Sequence, residues 1–352
     1  MKRRKILCAL MATVILISCL FLTSCDDSGE KVYIFSYGDY YDPEIVSEFE
    51  EETGIEVVQN TYDTAEELYP IIKNGSADYD VICTSDYMVE KLAKEGLLFK
   101  LNYKHIPNIK NIDNTYMDMA EEFDPGNNFS VPHTVGTAGI IYNKKMVGNE
   151  RIDSWDDLWN KNLKNYIVMP DSVRDDFMIA LRKNGYSQNT VDESQIKIAA
   201  ADLKKQKPFV YKYANDATRD LLVDGSAAIG VVWNGEYIYT KELNKDVEFV
   251  IPKEGTEFFM DSWVIPKSAR NKENAEKWLD FLCRADIAKK NFDYLYYTTP
   301  NKAAMDQIDS KYTENEAIFP SKETLEKCEC LKSLDSDETE LYSKYWKKVK
   351  AF

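Results

Sequence analysis

The chain has 352 residues and a formal net charge of −16, with 44% hydrophobic and 30% charged residues. That length and balance fit two globular domains and exclude a disordered or fibrous chain. The acidic surplus argues against nucleic acid as a partner and leans toward cationic ligands.

Lys2, Arg3, Arg4 and Lys5 precede an apolar run from Ile6 to Leu22, which closes on LTSC with Cys25 last. A basic start, a short apolar core and a small-residue end make a secretory signal. LTSC resembles the bacterial lipobox. That resemblance implies cleavage before Cys25, diacylglycerol on its sulfur and attachment to the cell membrane. Residues 1–24 are then a lipoprotein signal peptide and 25–30 an anchor and linker; a non-cleaved membrane anchor is the alternative. Cys83 and Cys283 sit in apolar runs and read as small buried residues. Cys328 and Cys330 form CEC, expected as free thiols. His105 and His133, the only histidines, are remote from it in sequence, so no metal site is expected.

VYIFSYG (32–38) predicts a strand. PEIVSEFEEETG (43–54) predicts a helix, with Pro43 in its first turn, Gly54 at its end and Ile45, Val46 and Phe49 at helical spacing. IEVVQNTY (55–62) predicts a strand, and AEELYPIIKNG a helix interrupted by Pro70. DYDVICTS predicts a strand and DYMVEKLAKEG a helix. The alternation predicts a parallel sheet with crossover helices. It resumes with SWDDLWN (154–160), opened by a serine cap and acids. The strand of NYIVMPDS, the helix RDDFMIALRKNG and the strand SAAIGVVWNGE (226–236) follow. FFMDSWVIP (258–266) predicts a buried strand, and NKENAEKWLDFLC (271–283) an amphipathic helix. Two α/β lobes joined by short strands suit a chain without a long linker. In such sheets ligands bind outside the carboxyl ends of strands.

At those ends stand Tyr37, Asp39, Tyr40 and Tyr41, then Ser85 and Tyr87, then Asp171, Ser172 and Asp175. Trp233 and Glu236, Phe259 and Asp261, and Tyr296 and Tyr297 complete the set. Aromatic faces attract cations at ~0.5–2 kcal/mol each. A carboxylate at contact distance adds roughly 4 kcal/mol of gross attraction at an effective dielectric near 20. Rings on the sides and acids at both ends would select a linear diamine or polyamine. Asp39, Asp171 and Asp175 could equally cap helices. Asp261 stands apart as an acid among large apolar residues: it awaits either a framework Lys or Arg or a cationic ligand. Paired carboxylates could also hydrolyse glycosides, but no nucleophile elbow, HExxH or placed cysteine–histidine pair is present.

The stretches YIFSYGDYYDPEIVSEFEEETGIEV, DYDVICTSDYMVEKLAKEGLL, SWDDLW, ALRKNGYS, VVWNGE, MDSWVIPKSARNKENA and YYTTPNKAA resemble, in order, the bacterial spermidine/putrescine-binding proteins, solute receptors of polyamine ABC transporters. The resemblance implies an α/β, two-lobed periplasmic-binding-protein fold, each lobe a mainly parallel sheet flanked by helices, with a hinge of crossing strands. It implies a first lobe of 31–136 plus 262–302 and a second of 137–261 plus 303–352. It implies a monomeric extracytoplasmic receptor, not an enzyme, with no cofactor, that delivers a polyamine to a membrane permease. The same fold serving a sugar, an amino acid or iron is the nearer alternative, a secreted glycoside hydrolase the more distant one.

By the same resemblance, Tyr37 stands where the family has Trp and Tyr40 matches its Tyr, while Ser85 and Tyr87 match its Ser and Tyr. Asp175 matches an amine-receiving acid, Trp233 the stacking ring, Asp261 the ammonium-pairing acid and Tyr297 a wall ring. Ser172 replaces an Asp of spermidine binders, with Asp171 adjacent. Leu331 replaces a Gln, and Phe259 replaces a Trp. Glu236 is an acid that putrescine binders share, so putrescine is expected over spermidine.

Overall fold

The structure, a computed structural model, describes residues 29–38, 40–75, 78–215 and 217–351. The signal peptide, Cys25 and Asp39 lie outside the described residues. The strands are β1 (Lys31–Tyr37), β2 (Glu56–Tyr62), β3 (Val81–Thr84), β4 (Ser130–Asn143), β5 (Ile167–Met169), β6 (Val210–Tyr213), β7 (Ile229–Trp233), β8 (Val247–Val250) and β9 (Phe258–Val264). They join in the order β2-β1-β3-β9-β4-β7-β5-β6, with β8 also on β4. β1 runs parallel to β2 and β3, and β5 runs parallel to β6 and β7. β9 and β4 are antiparallel to their neighbours. Two parallel sets, one in each lobe, are thus linked by two long antiparallel strands.

β4, β6 and β8 are strands the sequence did not reveal, and β4 is the longest of them. Its residues Ser130–Thr137 pair with β9, while Ala138–Tyr142 pair with β7 and Ile140–Asn143 with β8. One strand therefore belongs to both halves. A bulge between Pro132 and Thr134 lets His133 leave the ladder and sets Thr134 opposite Asp261.

Each half buries apolar residues on both faces of its sheet, as covered parallel sheets require. Val32, Ile34, Phe49, Trp263 and Trp278 share one core cluster and Phe35, Leu68, Ile82, Phe258 and Met260 another. In the second half, Trp155, Ile167, Phe177 and Ile229 form one cluster, and Ile141, Val168, Leu222 and Val247 the other. Cys83 and Cys283 are buried free thiols, and Cys328 and Cys330 are free as well.

Three local expectations need correction. The helix Ala65–Asn74 runs through Pro70 without a break. The amide that proline lacks would have met the carbonyl of Glu66, in the exposed first turn, where water can serve instead. The strand predicted over 226–236 stops at Trp233, and Asn234 starts the helix Asn234–Leu243. Buried Asn234 ties the helix start to two distant backbone segments: its Oδ1 accepts from Thr137 N at 3.3 Å and its Nδ2 donates to Ile318 O at 3.3 Å. SWDDLW forms a short 3₁₀ helix, Trp155–Trp159, capped by Ser154 as the sequence indicated.

Candidate functional site

Asp261 lies on β9 and is 7% exposed. The Tyr40 hydroxyl donates to its Oδ2 and is 2.8 Å from Thr134 Oγ1, which the bulge brings into reach. Among the described residues no lysine or arginine forms an ion pair with Asp261, so one phenol carries its solvation. Burial pushes its carboxyl up to about 7, and the Tyr40 hydrogen bond only partly offsets that.

Rings surround this acid. Tyr37 and Tyr40 meet edge to face at 5.2 Å, Tyr40 and Tyr297 are 6.4 Å apart, and Tyr297 and Phe259 meet edge to face at 5.8 Å. The Tyr37 hydroxyl is 3.2 Å from Ser85 Oγ, and Tyr87 donates to Glu66 Oε1 at 3.1 Å. Ser85 and Tyr87 sit at the start of the helix Asp86–Lys94, immediately after β3. The structure thus brings Tyr37, Tyr40, Ser85, Tyr87, Phe259, Asp261 and Tyr297 into one neighbourhood. Two glycines permit the close packing. A Cβ on Gly136 would lie 2.6 Å from the Phe259 ring, and one on Gly235 would lie 2.7 Å from the Tyr297 ring.

Trp233 and Asp175 line a small concavity with Ala138, Pro170 and Met178. Asp175 belongs to the first turn of the helix Val173–Lys183, and burial raises its pKa. Ser172 caps that helix, accepting from Asp175 N at 3.4 Å. Asp171 is exposed and faces Lys350 at 3.5 Å. Glu236 accepts from Arg219 Nη1 at 2.9 Å, so a base of the chain itself meets its charge. Asp171 and Glu236 therefore stand apart from the unmatched acids.

The sequence passed over two acids near Asp261, Asp86 and Glu257, and a third, Glu66, beside Tyr87. Asp86 lies between Ser85 and Tyr87, and burial pushes its carboxyl up to about 8. Glu257 precedes β9, and burial raises its pKa well above the carboxylate range, the charges of Asp175 and Asp86 adding to that. Glu66 receives the Tyr87 hydroxyl. The signal for Glu257 was present: residues 257, 259 and 261 fall on one face of an extended strand.

The raised carboxyls set a pH dependence. Asp86 has a folded value of about 8 against an ordinary 3.8, so between those values the unfolded chain holds fewer protons. Folding stability from this group is therefore lost as pH rises. Asp86→Asn removes the penalty. Its melting midpoint should exceed that of wild type by a margin that grows from about pH 4 toward about pH 8, by scanning calorimetry. A constant difference across that range would show that Asp86 ionises normally in the folded chain.

The model of the family described as bacterial extracellular solute-binding protein matches residues 44–320. A spermidine/putrescine-binding periplasmic protein of Salmonella typhimurium is 35% identical over 324 residues, 92% of each chain. The chain belongs to the spermidine/putrescine-binding family of bacterial extracellular solute-binding proteins. Members of this family are receptors and not enzymes. A putrescine-binding periplasmic protein of Escherichia coli is 29% identical, over 92% of this chain and 92% of that one. The crystal structure of a spermidine/putrescine ABC transporter substrate-binding protein of Streptococcus pneumoniae, in complex with calcium and HEPES, superposes with a TM-score of 0.83. It is 35% identical and covers 92% of this chain and 99% of that one. The family's two-lobed fold is the one described above. Among the described residues no helix is long and apolar enough to cross a membrane, and no cluster of His, Cys, Asp or Glu is placed to hold a metal.

Proposed function

We propose that this protein captures a polyamine between its lobes and hands it to an ABC permease. The observation that carries the reading is Asp261, a buried acid met by a phenol and ringed by Tyr37, Tyr40, Phe259 and Tyr297. An ammonium placed there gains a charge partner, and the ring faces take its methylenes. An anion would find no such match, which argues against amino acids held by their carboxylates. Asp175, beside Trp233 in the small concavity of the second lobe, is the acid best placed for a second amine. Tyr87 and Ser85 bound the cleft on the first side.

The finer choice of putrescine over spermidine rested on Glu236, taken together with Phe259 in place of Trp and the loss of polar groups at Ser172 and Leu331. Arg219 already neutralises Glu236, which takes away the acid that shortened the charge-to-charge span, so the proposal stands at the polyamine class. The lobes we propose are 31–136 with 262–302 and 137–261 with 303–352. The change of partners within β4 after Thr137 supports the first boundary. Phe258–Asp261 pair with Thr134–Thr137 and so lie at the junction itself. A ligand touching both sides of that junction favours the closed arrangement by its differential affinity. The LTSC motif supports a receptor tethered outside the cytoplasm through lipid on Cys25.

A thermal-shift panel tests the class. Putrescine or spermidine at about 100 times its Kd should stabilise the protein by ~2.7 kcal/mol, with sugars and amino acids giving no shift. A shift with a sugar alone would replace this reading by the sugar receptor.

A further inference from the structure

We propose that Glu257, with Asp86 beside it, forms a second cation subsite on Asp261's own side of the cleft, so that the ligand this receptor fits best is a chain of triamine length. The inference rests on the polyamine reading above and goes on to name the ligand within that class.

Glu257 is 6% exposed and Asp86 1% exposed. Glu257 Oε2 and Asp86 Oδ2 are both buried without a hydrogen-bond partner of normal geometry. Asp86 Oδ1 accepts from Tyr87 N at 2.7 Å, and no ion pair joins either acid to a lysine or arginine of the described residues. The nearby base, Arg174, gives its terminal nitrogens to Lys332 O at 3.2 Å and Asn189 Oδ1 at 3.4 Å; its charge offsets part of the burial penalty on Glu257, but it forms no ion pair with that acid. Buried carboxylate oxygens with no donor are costly in the folded chain, and an incoming ammonium supplies donors and charge together.

The strand sets where Glu257 points. Phe258 and Met260 pack into the first lobe's core with Phe35 and Leu68, so Glu257, Phe259 and Asp261 face the other way. The result is an acid, a ring and an acid on one strand face. Four residues at the extended rise put Glu257 and Asp261 about 13 Å apart along the strand. A diamine with a four-carbon spacer falls well short of that span, whereas a triamine comes close to it. Phe259 lies between the two acids, opposite the methylenes of such a chain.

Titration calorimetry on wild type, Glu257→Gln and Asp86→Asn with spermidine and putrescine decides it. Glu257→Gln keeps the shape and removes the charge. Spermidine affinity should fall about tenfold or more in each variant, and putrescine affinity by less than about threefold. Equal losses for both ligands, or none, in two folded variants overturn the subsite while leaving the polyamine receptor intact. A wild-type protein that binds neither ligand overturns the receptor reading as well. Circular dichroism melts identify a variant that has failed to fold, and the remaining variant then carries the comparison.

Discussion

Asp261→Asn is expected to lower polyamine affinity by roughly 2–5 kcal/mol, the scale on which a desolvated charge pair is broken. The loss is about thirtyfold to several thousandfold in Kd. The same variant should melt higher than wild type when ligand-free above about pH 7, because a buried carboxyl with one phenol for solvation resists ionisation. Its folded value of about 7 lies above the ordinary 3.8, so the stability it withholds grows as pH rises between them. A few degrees in the midpoint is the expected order. The two effects have opposite signs, which separates a binding role from a framework one. Were Asp261 a framework acid, Asn would cost stability and leave affinity alone. Titration calorimetry with putrescine reads the first effect, and unchanged affinity removes Asp261 from the site.

Asp80→Ala should produce the largest loss of stability. Asp80 is fully buried and accepts from Tyr33 N at 2.9 Å, Arg270 N at 2.9 Å, Asn271 N at 2.7 Å and Asn271 Nδ2 at 3.0 Å. One carboxylate thus ties β1 to the turn between β9 and the helix Lys272–Leu282. Alanine leaves three backbone amides without their acceptor. The expected cost is about 3–5 kcal/mol by urea unfolding. Ligand affinity of the folded fraction should be retained, since Asp80 lies at the start of β3 and the site at its end. A cost below about 1 kcal/mol would mean that water replaces the carboxylate without penalty.

Much of this was legible from residues alone. β1, β3, β7 and β9 are apolar runs bounded by turn residues, and the aromatic and acidic residues at their ends proved to be neighbours. β4 was hidden because SVPHTVGTAGIIYN mixes a proline, a histidine and two glycines into a strand buried on both faces, which erases the period of two. The Glu236–Arg219 pair joins two helices, Asn234–Leu243 and Ala217–Val223, and no local pattern announces a tertiary contact. Ser172 was ambiguous between ligand and cap, and its hydrogen bond to Asp175 N makes it a cap. Asp86 resembled an ordinary first-turn acid, since burial of a helix start cannot be seen in a single sequence.

The most direct measurement is a crystal structure grown with spermidine. An amine nitrogen should lie within hydrogen-bond distance of an Asp261 carboxylate oxygen, with its methylenes against the rings of Phe259 and Tyr297. Asp261 bonded to a lysine or arginine of the chain, with the ligand elsewhere, would contradict the account.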